Sequence, residues 1–414
     1  MIAEVRTPAG SAHSRGFPFA HSRFPTTLPR LRSLQDLRLE EDEEGRPTLK
    51  ILHTADIHLG RTYRGLGTKG DQLRQAQMET LERIVTLAAA ERCDVVLVAG
   101  DLYDSNEVSG RLVRQSLALF KKLDIEVVVL PGTHDPLSDS SVYNRPEFKD
   151  PGNVRVFGVH GTSFEVAGFR IHGYPLDGSC GARPLRDLRP DPEAEGNIGL
   201  AHGSIQIPGK SSEDDSIVSR QEIETSGLDY LALGHWHKTA DYSSGGVAAW
   251  YPGSAEVLKY GECEGPGNVL LVTIDCGQVK VEARRVGRYS WVEKTIDVSV
   301  FPPDGALEAE IRSAAGEDVL ARVKITGTLP KGARFDADEL TEALEADFFH
   351  LEVDAGGVGR RQEDLAGFPE GSLVSFYVER LREEIKKANG PDRERLEEAL
   401  YRGASVLAGE REVY

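Results

Sequence analysis

Three times between residues 49 and 135 a short apolar run ends in a polar cluster, and a helical pattern separates one run from the next. The runs are Leu49–Thr54, Asp94–Ala99 and Glu126–Leu130. Between them lie Gln72–Arg92, where Met78, Leu81, Ile84, Val85 and Ala88 recur at spacings of three and four, and Arg111–Leu123. Strand–helix–strand–helix–strand alternation of this kind implies parallel strands joined by right-handed crossovers. The clusters that close the runs are Asp56-Ile57-His58, Gly100-Asp101-Leu102-Tyr103-Asp104 and Gly132-Thr133-His134-Asp135. They therefore fall at carboxyl ends of strands, where open α/β sheets build their sites.

From Val154 the pattern changes to strands with short turns: Val154–Phe157, Phe164–Val166, Phe169–Tyr174, Ile198–Ala201, Tyr230–Leu233, Ala248–Tyr251, Val269–Ile274 and Val279–Val286. Gly, Pro and Asp punctuate the gaps. Two of these strands also end in motifs, His202-Gly203 and Gly234-His235-Trp236-His237. An α/β half followed by a β-rich half predicts two packed sheets with helices outside. Polar loops interrupt the second half near residues 177–197 and 206–219. A smaller module follows residue 290, reading strand Trp291–Val298, helix Ala306–Ala314, strand Val319–Ile325, helix Asp338–Ala346 and strand His350–Val353. The tail is helical over Leu373–Lys387 and Arg393–Leu407, split by Asn389-Gly390-Pro391.

Composition limits the function classes. At 414 residues the chain can hold two domains or more, and 39% hydrophobic with 28% charged residues fits a globular protein. No apolar run approaches the ~18 residues a membrane span needs. Cys93, Cys180, Cys263 and Cys276 show no CxxC spacing, which argues against structural zinc and fits a reducing cytoplasm. The net charge of −18 argues against gripping nucleic acid by charge alone, but leaves room for a nuclease aided by metals and a partner. Residues 1–48 are rich in Arg, Ser and Pro and end in an acidic run. They read as a disordered extension, with a transit peptide or a start assigned too far upstream as alternatives.

The five motifs supply the ligand types that a pair of divalent ions needs. Asp56 and His58 stand two apart just beyond a strand, so both can turn toward one ion. A carboxylate at Asp101, beyond the neighbouring strand, can bridge two ions. His235 and His237 flank one residue and can address different ions, and His202 adds another imidazole. Five of the eleven histidines fall in these motifs. His202 is preferred to His160 and His172 because it closes an apolar strand, Ile198–Ala201.

In this order the motifs resemble those of the calcineurin-like metallophosphoesterases, D-x-H, G-D-x-x-D, G-N-H-[DE], H and G-H-x-H, over Leu49 to about Val286. The resemblance implies a four-layer α/β/β/α sandwich and two bound divalent ions, manganese first and iron or zinc suited to the same ligands. It implies that Asp56, His58, Asp101 and His237 hold one ion, and Asp101, residue 133, His202 and His235 the other. His134 would face the scissile phosphate, oriented by Asp104. Thr133 departs from the family's Asn; its hydroxyl is shorter and a poorer ligand, which bears on the second ion.

Ile51–Gly60, Gly100–Asn106 and Tyr251-Pro252-Gly253-Ser254 further resemble the SbcD-type DNA repair exonucleases, and the tail resembles their YhaO branch. This resemblance implies a phosphoesterase domain over 49–287, a small α+β capping domain over 288–360 and a helical tail over 361–414. It also implies DNA as substrate, an SbcC-like coiled-coil ATPase on the tail and homodimerisation. Two other readings remain open at this point: a phosphoesterase for a small nucleotide or lipid-linked substrate, and a subunit that holds DNA ends without cutting.

Overall fold

The structure, a computed structural model, describes residues 48–177, 183–185, 188–207, 216–262, 265–303, 305–329, 336–359 and 368–407. The amino-terminal extension and parts of both polar loops lie outside the described residues. In chain order the elements are β1 (Leu49–Thr54), α1 (Gly67–Ala90), β2 (Val95–Ala99), α2 (Gly110–Phe120), β3 (Glu126–Leu130), β4 (Val154–Val156), β5 (Ser163–Val166), β6 (Phe169–Gly173), β7 (Gly196–His202), β8 (Ser204–Ile205) and β9 (Ile217–Val218). They continue with α3 (Arg220–Glu224), β10 (Tyr230–Gly234), β11 (Ala240–Asp241), β12 (Ala248–Tyr251), β13 (Asn268–Asp275) and β14 (Gln278–Arg285). The last are β15 (Ser290–Asp297), α4 (Ala306–Arg312), β16 (Gly316–Thr328), α5 (Ala337–Leu344), β17 (Phe348–Gly359), α6 (Leu373–Lys387) and α7 (Pro391–Leu407).

Two six-stranded sheets form the body, in the orders β14-β13-β1-β2-β3-β4 and β11-β12-β10-β7-β6-β5. The run β1 to β4 is parallel throughout, as the βαβ alternation requires. The strands are apolar on both faces because both are covered. Val96 and Val98 face α1 and α2, packing with Leu81, Ile84 and Phe120. Val95, Leu97 and Ala99 face the other way, into an inter-sheet core with Ile198, Leu200, Tyr230 and Ala232. His53 crosses this core, its ring nitrogens 2.8 Å from the Tyr230 hydroxyl and 3.2 Å from the Leu233 carbonyl oxygen.

The layers are α/β/β/α, but the two helical layers are unequal. The first sheet is covered by α1 and α2, the latter started by Ser109, whose hydroxyl accepts from Leu112 N–H. The outer face of the second sheet packs Leu231, Leu233 and Ala249 against Ile223 of the five-residue α3 and against Leu185. A capping box between Ser219 and Glu222 holds this short helix.

Beyond residue 290, β15-β16-β17 form a wholly parallel three-stranded sheet, with Leu307, Ile311, Leu340 and Leu344 of α4 and α5 buried against it. A second contact ties its Trp291 and Leu320 to Tyr63, on the loop before α1, and to Leu73 and Ala76 in the first half of that helix. Helices α6 and α7 pack on each other through Val374, Val378, Ile385, Leu400 and Ala404. No helix of the described residues is long and apolar enough to cross a membrane.

Candidate metal centre

The cleft that collects the motifs is stitched together by backbone. Asp56 N–H donates to the Gly100 carbonyl at 3.1 Å, His58 N–H to that of Asp101 at 3.0 Å and Leu59 N–H to that of Leu102 at 2.9 Å. The loops after β1 and β2 are thus zipped side by side. Buried Gln77 on α1 closes them from behind, donating to the carbonyls of Ile57 and His58 at 3.1 and 2.9 Å. Asp56, His58, Asp101 and His235 are four of the seven non-glycine residues at positive φ among the described residues. Strained backbone held by its surroundings clusters at functional sites. Two motif glycines are required by close approach. A Cβ on Gly100 would lie 2.0 Å from His202 Nδ1, and one on Gly132 would lie 2.2 Å from Asp101 Oδ1.

The side chains then converge. Asp101 Oδ2 lies 3.6 Å from His58 Nε2, 3.3 Å from His202 Nε2 and 3.2 Å from the Thr133 hydroxyl, while Oδ1 accepts His134 N–H at 2.8 Å. His237 Nε2 lies 3.8 Å from Asp56 Oδ1. Three sets, Asp56/His58/His237, Asp56/Asp101/His202 and His58/Asp104/His134, each bring their donor atoms within 4.8 Å of one another. His235 falls outside those sets. Its ring centroid is 5.3 Å from that of His202, and its N–H donates to the Asp56 carboxylate at 3.0–3.2 Å.

Three of these imidazoles share one arrangement. His202 Nδ1 is 2.9 Å from the Ala99 carbonyl oxygen, His58 Nδ1 is 3.1 Å from Asp104 Oδ1, and His237 Nδ1 is 2.6 Å from Glu262 Oε1. Each Nδ1 hydrogen goes to an oxygen behind the ring, leaving Nε2 facing the carboxylates. Nε2 of His58 is buried with no hydrogen-bond partner. Leaving such a nitrogen unpaired costs on the order of 1–3 kcal/mol unless something occupies the space before it. An anchored Nδ1, an inward Nε2 and carboxylates opposite make up the donor set a divalent cation takes. The residues fit such an ion.

The charges agree. Burial alone would raise the Asp101 carboxyl, but His202, His58 and the His134 N–H outweigh it and hold the group well below the carboxylate range. Burial works against a charged His202, yet Asp101 and Asp56 raise its pKa to about 9. That proton stands between Nε2 and Asp101, where a bound cation would displace it.

His134 is at the mouth, its side chain 46% exposed, with Nδ1 3.0 Å from the Asp104 carbonyl oxygen. The Asp104 carboxylate itself sits on His58 and Arg61, and its Oδ1 is 4.0 Å from His134 Nδ1. Asp104 thus meets His134 through its backbone, where the motif pattern leads one to expect the carboxylate. His160 and His172 are held elsewhere, His160 by Val156 N–H and the Phe148 carbonyl, His172 by Asn197.

Spacing alone gave no role to two acids. Asp135 is fully buried and accepts from Gly132 N–H, Tyr103 N–H and the Tyr143 hydroxyl at 2.8, 3.0 and 2.6 Å. Burial, with Asp101 nearby, raises its pKa to about 6. Glu262 lies beyond every motif, on the loop between β12 and β13. The only signal pointing to it is a carboxylate shortly after Tyr251-Pro252-Gly253-Ser254.

Residues 49–239 match the calcineurin-like phosphoesterase family. The chain is 26% identical over 329 residues to the uncharacterized metallophosphoesterase YhaO of Bacillus subtilis, covering 72% of this chain and 77% of that one. It is 29% identical over 269 residues to the DNA double-strand break repair protein Mre11 of Aeropyrum pernix, covering 60% of this chain and 64% of that one. It is 27% identical over 312 residues to the Mre11 of Methanopyrus kandleri, covering 68% and 66%. With the strand-end motifs converging in one cleft and this match across them, residues 49–239 form a calcineurin-like metallophosphoesterase domain, a hydrolase fold for phosphate esters.

Proposed function

We propose that the chain is a metal-dependent nuclease that hydrolyses DNA phosphodiester bonds as the nuclease subunit of a repair complex. The observation that carries the reading is the convergence of three inward Nε2 atoms with Asp56 and Asp101. The repair proteins among its relatives direct it toward DNA.

In this reading Asp56, His58, Asp101 and His237 hold one ion, and Asp101, Thr133, His202 and His235 hold the other, with manganese as the proposed metal. When bound, a divalent pair neutralises phosphate charge and supplies a nucleophile at neutral pH. The chain's own residues do the rest. Asp101, with His58 on one side and His202 on the other, would serve both positions. Thr133 contributes a hydroxyl already engaged with Asp101 and His202, so the second position is the weaker one. With its Nδ1 hydrogen given to the Asp104 carbonyl, His134 presents Nε2 to the scissile phosphate and, as the imidazolium, gives the Nε2 proton to the leaving oxygen and ends as the neutral Nδ1–H ring.

Residues 49–287 hydrolyse, 288–360 cap the cleft, and 361–414 dock a coiled-coil ATPase of the SbcC type in the cytoplasm. Leu373 and Phe376, 70% and 63% exposed on one face of α6, support the docking role. The test is cleavage of end-labelled linear duplex and single-stranded DNA by the full chain with and without manganese. Manganese-dependent loss of label that vanishes in His134→Ala is expected. Turnover of bis-p-nitrophenyl phosphate with DNA left intact would overturn the DNA assignment in favour of a small substrate.

A further inference from the structure

His237 is the ligand candidate farthest along the chain, and the segment after it folds back behind it. Ser254 N–H donates to the His237 carbonyl at 3.2 Å, and Thr239 Oγ1 donates to the Pro252 carbonyl at 2.6 Å. The segment then ends on the imidazole it began from, with Glu262 Oε1 2.6 Å from His237 Nδ1. The Glu262 side chain is 5% exposed, and both its oxygens are used. Oε2 accepts Leu258 N–H at 2.9 Å and Lys259 N–H at 3.2 Å. The carboxylate is therefore fixed by backbone on one side and fixes an imidazole on the other.

Between these ends the segment is held by the C-terminal sheet. Buried Glu256 accepts Tyr289 N–H at 2.7 Å, Arg288 N–H at 3.0–3.1 Å and the Thr80 hydroxyl at 2.6 Å, joining α1 to the start of β15. The Tyr260 ring lies 4.9 Å from Trp291, and the Arg322 guanidinium of β16 lies 4.1 Å over its face. Two residues on from Tyr260 is Glu262.

Resting on the metal-centre reading above, we infer that Glu262 is a positioning residue. It orients His237 so that Nε2 meets the ion shared with Asp56 and His58, and it takes its own place from the C-terminal sheet through Tyr260. The hydrogen bond fixes the tautomer, because Nδ1–H must point at the carboxylate. The negative charge raises the basicity of Nε2. A purely structural Glu262, closing the 258–262 turn, would affect melting temperature without acting through His237.

Manganese titration of the full-length, chelator-stripped chain by calorimetry separates the two. Glu262→Ala is expected to weaken one of the two positions roughly ten- to a hundred-fold and leave the other unchanged. Glu262→Gln keeps an acceptor oxygen for Nδ1–H but loses the charge, and should fall between that variant and the unmodified chain. In a His237→Ala background the loss of Glu262 should cost nothing further, since its effect passes through that ring. A lowered melting temperature with an unchanged isotherm, or an added loss in the His237→Ala background, overturns the inference. Should Glu262→Ala fail to fold, Glu262→Gln decides: a several-fold weakening supports the inference and an unchanged isotherm overturns it. Asp56→Ala is the control on the reading beneath. If it binds manganese unchanged, the metal centre itself is wrong; if it loses an ion and the Glu262 variants do not, only this inference fails.

Discussion

The two six-stranded sheets supply the cleft differently. The first delivers Asp56, His58, Asp101, Asp104, Thr133 and His134 from the ends of three adjacent parallel strands, β1, β2 and β3. The second delivers only imidazoles, His202 from β7 and His235 and His237 beyond β10, with polar loops intervening. The first sheet's groups are locked by backbone zippering and by Gln77. The second sheet's groups rely on reaching across, His202 to the Ala99 carbonyl and His235 N–H to Asp56. One sheet holds the carboxylates, and the other is fastened to them through hydrogen bonds and imidazole–carboxylate contacts and closes the set.

If that division is right, the largest effect comes from the carboxylate that both sheets share. Asp101→Asn is expected to lower hydrolysis of bis-p-nitrophenyl phosphate by roughly 10³-fold or more, since in the proposed centre it serves both metal positions. His202→Ala should cost clearly less. Equal losses in steady-state rates would break the comparison. Next comes the buried support under the first sheet's site. Asp135→Ala leaves Gly132 N–H, Tyr103 N–H and the Tyr143 hydroxyl without an acceptor, and should destabilise the fold by about 3 kcal/mol in urea denaturation.

The seam between the sheets carries a pH signature. Burial lowers the His53 pKa to about 3, against 6.5 for the free group. As pH falls below 6.5 the unfolded chain takes a proton that the folded chain refuses, so stability drops. Between pH 7 and pH 5 this amounts to about 2 kcal/mol. His53→Gln should lack that part of the slope, read as the difference between the two denaturation series; identical slopes would show that His53 is charged in the fold. The smallest effect concerns Thr133. Thr133→Asn extends the side chain proposed to serve the weaker position and should tighten one manganese site several-fold, at most about tenfold in calorimetry. No change would mean that residue 133 stays outside the ion's reach.

The same contrast explains what could be read from the chain. In the first sheet, strand, motif and helix are contiguous, so hydrophobic period and polar cluster report the same fold. The structure pairs β1 to β4 in the parallel order the alternation demands. In the C-terminal module the strands Trp291–Val298, Val319–Ile325 and His350–Val353 and the helices between them were legible, and the structure adds that the strands pair in parallel. The second sheet was legible only as strands. Its order, β10 between β12 and β7, depends on long connections that carry no local periodicity. The thinness of its outer layer comes from α3 having five residues, too few to show a helical period.

Within the cleft, residue types announced the groups that face inward, and announced those behind them only weakly. Glu262 is one acid among many in the sequence, and only the path of the chain brings it to His237. The Asp104 carboxylate bonds His58 because the two loops are zipped in register, a relation that spacing does not contain.

The central claim is that a divalent metal held by both sheets performs phosphodiester hydrolysis. The most direct measurement is turnover of bis-p-nitrophenyl phosphate by the full chain after chelation and after manganese is restored, with bound metal counted per chain. The account predicts no turnover without metal, and recovery that tracks occupancy of two sites and is absent in Asp101→Asn. Turnover that survives chelation, or a chain that binds two manganese ions and hydrolyses neither this ester nor DNA, would contradict it.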